Sequence, residues 1–318
     1  MTMTLELLQT GPLVPALEAA LQARYAVTRL HEQVDPLAFV AAEGARFAAI
    51  ASSAAVGFGA ALLPHLPNLR VVSSYGVGLD KLPVAELHAR AITLATTSGV
   101  LDDCVADAAW ALLLAVARRV VQADAYVRAG QWAQDGTNRF ALGRRVSGAR
   151  LGVVGLGRIG QVIAKRASGF DMRVAYHSRR PVPGVPWRYE ADLRALAQSS
   201  DFLVVITAGG PGTQHLINAE VLNALGPRGY LINVARGSVV DEAALLAALH
   251  EGRIAGAGLD VFDNEPAISA AMRSAPRTVL LPHIASATEE TRAAMAERVV
   301  ENLEAYFSTG QVLTPVRP

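Results

Sequence analysis

The chain has one cysteine, two lysines and few aromatic residues, and each shortage removes a class of explanation. A single cysteine, Cys104, excludes an intrachain disulfide and fits a reducing compartment. It stands in 103-DCVADAAWALLLAVARR-119 at the start of a helical pattern. A nucleophilic cysteine needs a basic partner, so a buried structural role is expected here. Lysine occurs only as Lys81 and Lys165, leaving arginine to carry the positive charge. Acids and bases nearly cancel, at a net +1, which gives no reason to expect nucleic acid or an anionic membrane as partner. No uninterrupted apolar run reaches membrane-spanning length; the Leu- and Ala-rich helix after Asp107 stops at Arg118. The N-terminal stretch 1-MTMTLELLQTGPLVPALEAAL-21 has no basic region ahead of an apolar core, so no secretory signal is expected. A cytoplasmic protein follows. The histidines show no HxH or HxxxH spacing, so no metal site is expected.

What is present is an alternation of apolar runs and helical patterns over 318 residues, 52% of them hydrophobic. That length favours two domains over one core. In the first part, 46-RFAAIAS-52, 69-LRVVSS-74 and 91-AITLATT-97 read as strands, and 12-PLVPALEAALQARY-25, 60-AALLPHLP-67 and 84-VAELHAR-90 as helical. One long amphipathic helix is predicted from about Asp102 to Arg128. Six further strands, beginning with 151-LGVVG-155 and ending with 278-TVLLP-282, alternate with helices and make a nucleotide-binding unit. The last helix, 288-TEETRAAMAERVVENLEAYFSTG-310, opens with a Thr cap and two acids and is expected to return to the first domain. The fold class is therefore α/β with two doubly wound parallel sheets. The expected domains are 1–100 with 286–318, and 101–285.

The segment 151-LGVVGLGRIG-160 carries GxGxxG at Gly155, Gly157 and Gly160 between a strand and an amphipathic helix. The first glycine permits the tight turn, the second lets backbone approach a pyrophosphate, and the third lets the helix pack on the strand. Amides around Arg158 and Ile159, next to Leu156, would then face phosphate. At the end of the second strand a carboxylate is expected for the adenosine ribose of NAD. The chain has His177, Ser178, Arg179 and Arg180 there, with no acid. A neutral hydroxyl and two fork-shaped cations suit a 2′-phosphate, so NADPH is preferred over NADH. Three polar segments follow later strands: 233-NVARGSVVDE-242, 258-GLDVFDNEP-266 and 281-LPHIASAT-288. They bring Arg236, Glu265 and His283 to the sheet's carboxyl edge. Arg236 would clamp a carboxylate and polarise a carbonyl, His283 would protonate the oxygen, and Glu265 would hold the ring's other nitrogen. Asp263 reads as solvated.

The chain resembles the D-isomer-specific 2-hydroxyacid dehydrogenases, and within them the glyoxylate/hydroxypyruvate and hydroxyphenylpyruvate reductases. The likeness rests on 72-VSSYGVGLDKLP-83, 98-SGVLDDCVAD-107, 153-VVGLGRIG-160, 225-LGPRGYLINVARGSVVDE-242, 254-IAGAGLDVFDNEP-266 and 280-LLPHIASATEETR-292. The resemblance implies a flavodoxin-like, discontinuous substrate domain and a Rossmann domain. It implies Arg236, Glu265 and His283 as the catalytic set, Asp260 as the residue holding the nicotinamide carboxamide, and Val77 and Gly78 amides on the substrate carboxylate. Thr207, Thr213, Val234 and Ala235 join the cofactor contacts on the same ground, with Arg236 and His283 themselves. The sequence 176-YHSRR-180 is similar to the form in NADPH-using members, whereas many NAD-using members have Asp where Ser178 stands. Glu265 argues against a formate dehydrogenase. A homodimer is implied, built on the 102–128 helix, with Trp132 in the loop that lends an aromatic residue to the partner's pocket in some relatives. The expected activity is NADPH-dependent reduction of glyoxylate and hydroxypyruvate. Two alternatives remain within the class, an NAD-linked dehydrogenase and a hydroxyphenylpyruvate reductase. A third, of another class, is a dinucleotide-sensing corepressor.

Overall fold

The computed structural model describes residues 5–317. Residues 1–4, part of the N-terminal stretch read above, and Pro318 lie outside it. The described residues divide into two compact units: one runs to Leu101 and resumes at Ala287, and the other is Asp102–Ser286.

In the first unit five strands form a parallel sheet: β1 (Glu6–Gln9), β2 (Ala26–Arg29), β3 (Ala49–Ser53), β4 (Val71–Tyr75) and β5 (Thr93–Ala95). Their order, β2-β1-β3-β4-β5, is the flavodoxin-like one. Every residue of β3 and β4 is buried, as strands covered on both faces must be. The helix Glu289–Thr309 packs against β4 and makes the unit discontinuous. Thr288 caps it by accepting the Thr291 N–H, Glu289 and Glu290 fill the first turn, and left-handed Gly310 closes it. Buried Asn302 on this helix donates to Thr96 O and accepts from the amides of Leu313 and Thr314, which fastens the C-terminal segment beside β5.

The second unit holds seven parallel strands: β6 (Arg150–Val154), β7 (Arg173–His177), β8 (Arg188–Tyr189), β9 (Phe202–Val205), β10 (Tyr230–Asn233), β11 (Gly256–Leu259) and β12 (Thr278–Leu280). The order is β12-β11-β10-β9-β6-β7-β8, so the winding reverses between β6 and β9. Such a switch point opens the ligand crevice of a doubly wound sheet at the strands' carboxyl ends. Val154 is level with Val205 across that pair. Val154, Leu203, Val205, Leu231, Leu245 and Leu259 form the core on one face of the sheet. Each side chain of this size contributes about 1.5–3 kcal/mol by leaving water.

Four sequence expectations need correction. The 102–128 helix is two helices, Asp102–Arg118 and Val120–Arg128, broken at Arg119 with φ +56°. The Ala117 carbonyl, which should continue the ladder, instead accepts the Arg144 N–H at 2.7 Å, and Gly143 leaves room for that approach. The nucleotide unit has a seventh strand, β8, and β1 and β2 were not anticipated. The 60–67 segment forms a 3-10 helix, Ala60–His65, interrupted by Pro64. Cys104 is half-buried rather than buried, because the first turn of its helix lies at the surface of the unit.

Candidate active site

Three glycines at the carboxyl end of β6 do three different jobs. Gly155 has φ +98°, and a Cβ there would lie 2.8 Å from Thr207 N. Only glycine lets the end of β6 lie against the end of β9. At Gly160 a Cβ would sit 2.1 Å from Gly155 O, so the helix Arg158–Arg166 starts directly on the turn. At Gly157 a Cβ would meet nothing within 4 Å. Gly157 is also the N-cap of that helix, and no side chain caps it. Bare first-turn amides beside open space suit a pyrophosphate. Leu156 is buried beneath the turn. The Arg158 side chain turns aside to Asp102 at 2.9 Å, leaving its main chain for the turn.

At the end of β7, His177 Nδ1 contacts Glu190 O at 3.0 Å. The Ser178 hydroxyl donates to Arg180 O at 2.6 Å, which shapes the turn. Arg179 and Arg180 are exposed, and neither guanidinium has an ion-pair partner among the described residues. Thr207 follows β9 beside Gly155. Thr213 donates its hydroxyl to Ala208 O at 2.8 Å. The amides of Val234 and Ala235 are engaged within the protein, by Val205 O and by Asn233 Oδ1.

The candidate acid–base residues Arg236, Glu265 and His283 follow the ends of β10, β11 and β12. Glu265 is held at both oxygens: Oε1 accepts the Phe262 N–H at 2.8 Å and Oε2 meets His283 Nδ1 at 2.6 Å. Burial would raise the Glu265 carboxyl, but those two hydrogen bonds and the charges of His283 and Arg236 hold it below its usual range. An ionised carboxylate only accepts, so the proton on this contact belongs to Nδ1, and Nε2 is left to exchange a proton with a ligand.

Asp260, 1% exposed, follows β11 directly and organises the histidine turn. Its carboxylate accepts the amides of Ile284 and Ala285 at 2.8 and 2.9 Å, and its carbonyl accepts the His283 N–H. Those bonds hold His283 at φ +55°, a conformation costing an L residue about 1–2 kcal/mol. Burial raises the Asp260 carboxyl above the usual range, and the two amides and His283 only partly offset it.

Two residues that the sequence reading passed over complete the arrangement. Asn233, at the end of β10 and 1% exposed, donates through Nδ2 to Arg236 O while its Oδ1 accepts from Ala235. Its main-chain carbonyl accepts the Asp260 N–H, coupling the arginine loop to the histidine turn. Gly237 lies flat against Phe262 and Asp263; a Cβ there would come 1.9 Å from the Phe262 carbonyl carbon. Arg236 itself is half-buried, with Nη1 on Ala235 O at 2.6 Å. An asparagine before a turn and a glycine after an arginine are common in any loop, which is why neither signalled its part. Asp263 is exposed.

Val77 and Gly78 belong to the first unit, in the turn after β4. Gly76 before them has φ +116°, and its N–H donates to Thr97 Oγ1. The Val77 and Gly78 amides have no intramolecular acceptor among the described residues, as an anion-binding turn requires.

Residues 110–285 match the family described as D-isomer specific 2-hydroxyacid dehydrogenase, NAD binding domain. The chain is 44% identical over 311 residues to a 2-ketogluconate reductase of Gluconobacter oxydans, covering 98% of each chain. This chain belongs to the D-isomer-specific 2-hydroxyacid dehydrogenases. To the hydroxyphenylpyruvate reductase of Plectranthus scutellarioides it is 43% identical, with 96% of each chain covered. An NADPH-dependent glyoxylate/hydroxypyruvate reductase from Sinorhizobium meliloti, solved in complex with NADP and malonate, superposes with a TM-score of 0.90 at 43% identity, covering 98% of this chain and 96% of that one. As a 2-hydroxyacid dehydrogenase the chain is an NAD(P)-dependent 2-oxo acid reductase. The glycine turn, the uncapped helix start and the strand-end residues fit the dinucleotide that this chemistry requires. No helix of the described residues is long and apolar enough to cross a membrane.

Proposed function

We propose that this 2-hydroxyacid dehydrogenase is an NADPH-dependent reductase of small 2-oxo acids, glyoxylate and hydroxypyruvate first among them, yielding D-2-hydroxy acids. The observation that carries the cofactor choice is the turn after β7. It presents Arg179 and Arg180 without ion-pair partners among the described residues, and no carboxylate stands among residues 177–180 to repel a 2′-phosphate. NADP and malonate bound to the NADPH-dependent glyoxylate/hydroxypyruvate reductase of Sinorhizobium meliloti support the same reading.

In this mechanism the reduced nicotinamide, when bound, supplies hydride to the carbonyl carbon. Arg236 pairs with the substrate carboxylate and draws charge from the carbonyl oxygen. The free Val77 and Gly78 amides of the first unit suit an anion such as a carboxylate. His283 gives its Nε2 proton to the oxygen, and Glu265 keeps the Nδ1 proton in place and offsets the ring's charge. Asp260 holds the histidine turn through its two amide bonds, and its carboxylate would also hold the carboxamide of a bound nicotinamide. Asp102–Ser286 is the dinucleotide-binding domain and the rest of the chain the substrate domain. Exposed Val120, Val121, Val127 and Trp132 offer an apolar face for a homodimer.

The test is a comparison of kcat/KM for glyoxylate, hydroxypyruvate, hydroxyphenylpyruvate and 2-ketogluconate, each with NADPH, in the wild type and in R179A/R180A with both cofactors. Glyoxylate or hydroxypyruvate ranks first on this reading, and the double variant loses NADPH efficiency while keeping NADH efficiency. A hydroxyphenylpyruvate or 2-ketogluconate preference overturns the substrate assignment. An equal loss with both cofactors overturns the cofactor assignment.

A further inference from the structure

We propose that Tyr189 is a specificity-determining positioning residue, holding the 178–182 turn in the shape that presents Arg179 and Arg180 to a 2′-phosphate. This inference rests on the NADPH reading above. Tyr189 is one of the two residues of β8, paired in parallel with Tyr176 of β7. Its hydroxyl donates to Ser178 O at 3.2 Å, at the start of the turn. Ser178 Oγ reaches Arg180 O in the middle, and the Val182 N–H donates to the Tyr176 hydroxyl at 2.9 Å at the end. Tyr176 is buried, and its ring lies 5.5 Å from that of Tyr189. Both tyrosines therefore grip the same short turn from one side.

β8 itself is well anchored for so short a strand. Glu190 N donates to Tyr176 O at 2.8 Å, and Glu190 O contacts His177 Nδ1. The nearby carboxylate of Glu190 is engaged by Arg188 at 3.0 Å. Pro181 fixes a further φ angle in the turn and Pro183 the one just after it. The two arginines have no ion pair among the described residues, so their placement depends on the backbone that these hydroxyls hold. A turn already ordered avoids the conformational entropy that ordering on binding would cost. On this geometry Tyr189 contacts Ser178 and acts on the cofactor only through the turn.

The experiment is titration calorimetry with 2′,5′-ADP and with AMP on the wild type, Y189F and R179A/R180A, with melting curves for each. Losing one neutral hydrogen bond in Y189F should weaken 2′,5′-ADP about three- to tenfold and leave AMP within about twofold. The Y189F melting temperature should fall by no more than about 4 °C. R179A/R180A should bind the two probes alike. Y189F behaving as wild type while R179A/R180A loses the 2′-phosphate preference overturns the inference and leaves the NADPH reading standing. Equal weakening of both probes in Y189F also overturns it, because the tyrosine then supports the unit as a whole. A wild type that binds the probes alike, or an R179A/R180A variant that keeps the preference, overturns the NADPH reading and the inference with it.

Discussion

Replacing Gly237 with alanine probes how the arginine loop and the Glu265 segment are held together. The new Cβ would lie 1.9 Å from Phe262 C, 2.1 Å from Phe262 O and 2.3 Å from Asp263 N. All three are main-chain atoms, so no rotamer can step aside. Ordinary contact begins at 3.4 Å, and the two segments must therefore part by about 1.5 Å. That movement carries Arg236 one way and, through the Phe262 N–H on Glu265, the His283 partner the other. A displacement of about 1 Å in positioned reacting groups costs about 10²-fold in rate. We expect G237A to lose about 10²-fold in kcat/KM for 2-oxo acid reduction. Overpacking adds a stability loss of about 1–3 kcal/mol, read in urea unfolding. Steady-state kinetics on the folded variant is the deciding assay. A folded G237A with wild-type kcat/KM would show that the packing of these two segments does not set the geometry of the site.

Gly157 gives the opposite split. A Cβ there meets nothing within 4 Å, so G157A should lose about 1 kcal/mol or less in unfolding, yet bind NADPH and NADH more than about tenfold more weakly in fluorescence titration; unchanged affinity for both would refute the pyrophosphate assignment. H283A should lose about 10²–10⁴-fold in kcat while weakening cofactor binding by no more than about tenfold, the worth of one hydrogen bond, and retained turnover would remove His283 from the mechanism. E265Q should retain cofactor affinity and lower kcat about tenfold, because an amide N–H replaces the acceptor facing Nδ1. The same variant has a pH signature. Glu265 sits below its ordinary 4.5 in the folded protein, so the unfolded chain takes up this proton first as pH falls. Its contribution to stability is complete above about pH 4.5 and is lost as pH drops through the folded value. Urea midpoints measured from about pH 6 to about pH 3 should therefore fall less steeply for E265Q than for the wild type, and parallel curves would refute the sign.

The parts of this molecule that were legible in the sequence are those whose cause is local. A glycine triplet between an apolar strand and an amphipathic helix states its geometry in the residues themselves, and the structure shows a steric reason at Gly155 and at Gly160 and open space at Gly157. The cap of the last helix was equally plain, since Thr288 and the two acids act within one turn. The break at Arg119 was not, because its cause is the Arg144 amide from a distant loop, and 117-ARRVV-121 holds neither Gly nor Pro. β2 was missed because all four of its residues are half-buried, giving no alternation. β8 was missed because two residues have no period at all. At the site, Arg236, Glu265 and His283 stood out by chemistry and strand-end placement. The positioning work of Asn233, Gly237 and the Asp260 carboxylate runs through main-chain partners, and no residue-type pattern announces those. The same holds for Tyr189, whose hydroxyl meets a carbonyl eleven residues away.

The most direct measurement is kcat/KM of the wild-type enzyme for glyoxylate with NADPH and with NADH under identical conditions. Two arginines without ion pairs among the described residues, and no carboxylate among residues 177–180, predict an NADPH preference of at least about tenfold, the worth of one charge-assisted hydrogen bond. Equal efficiencies, or a preference for NADH, would contradict it and make Arg179 and Arg180 ordinary surface charges.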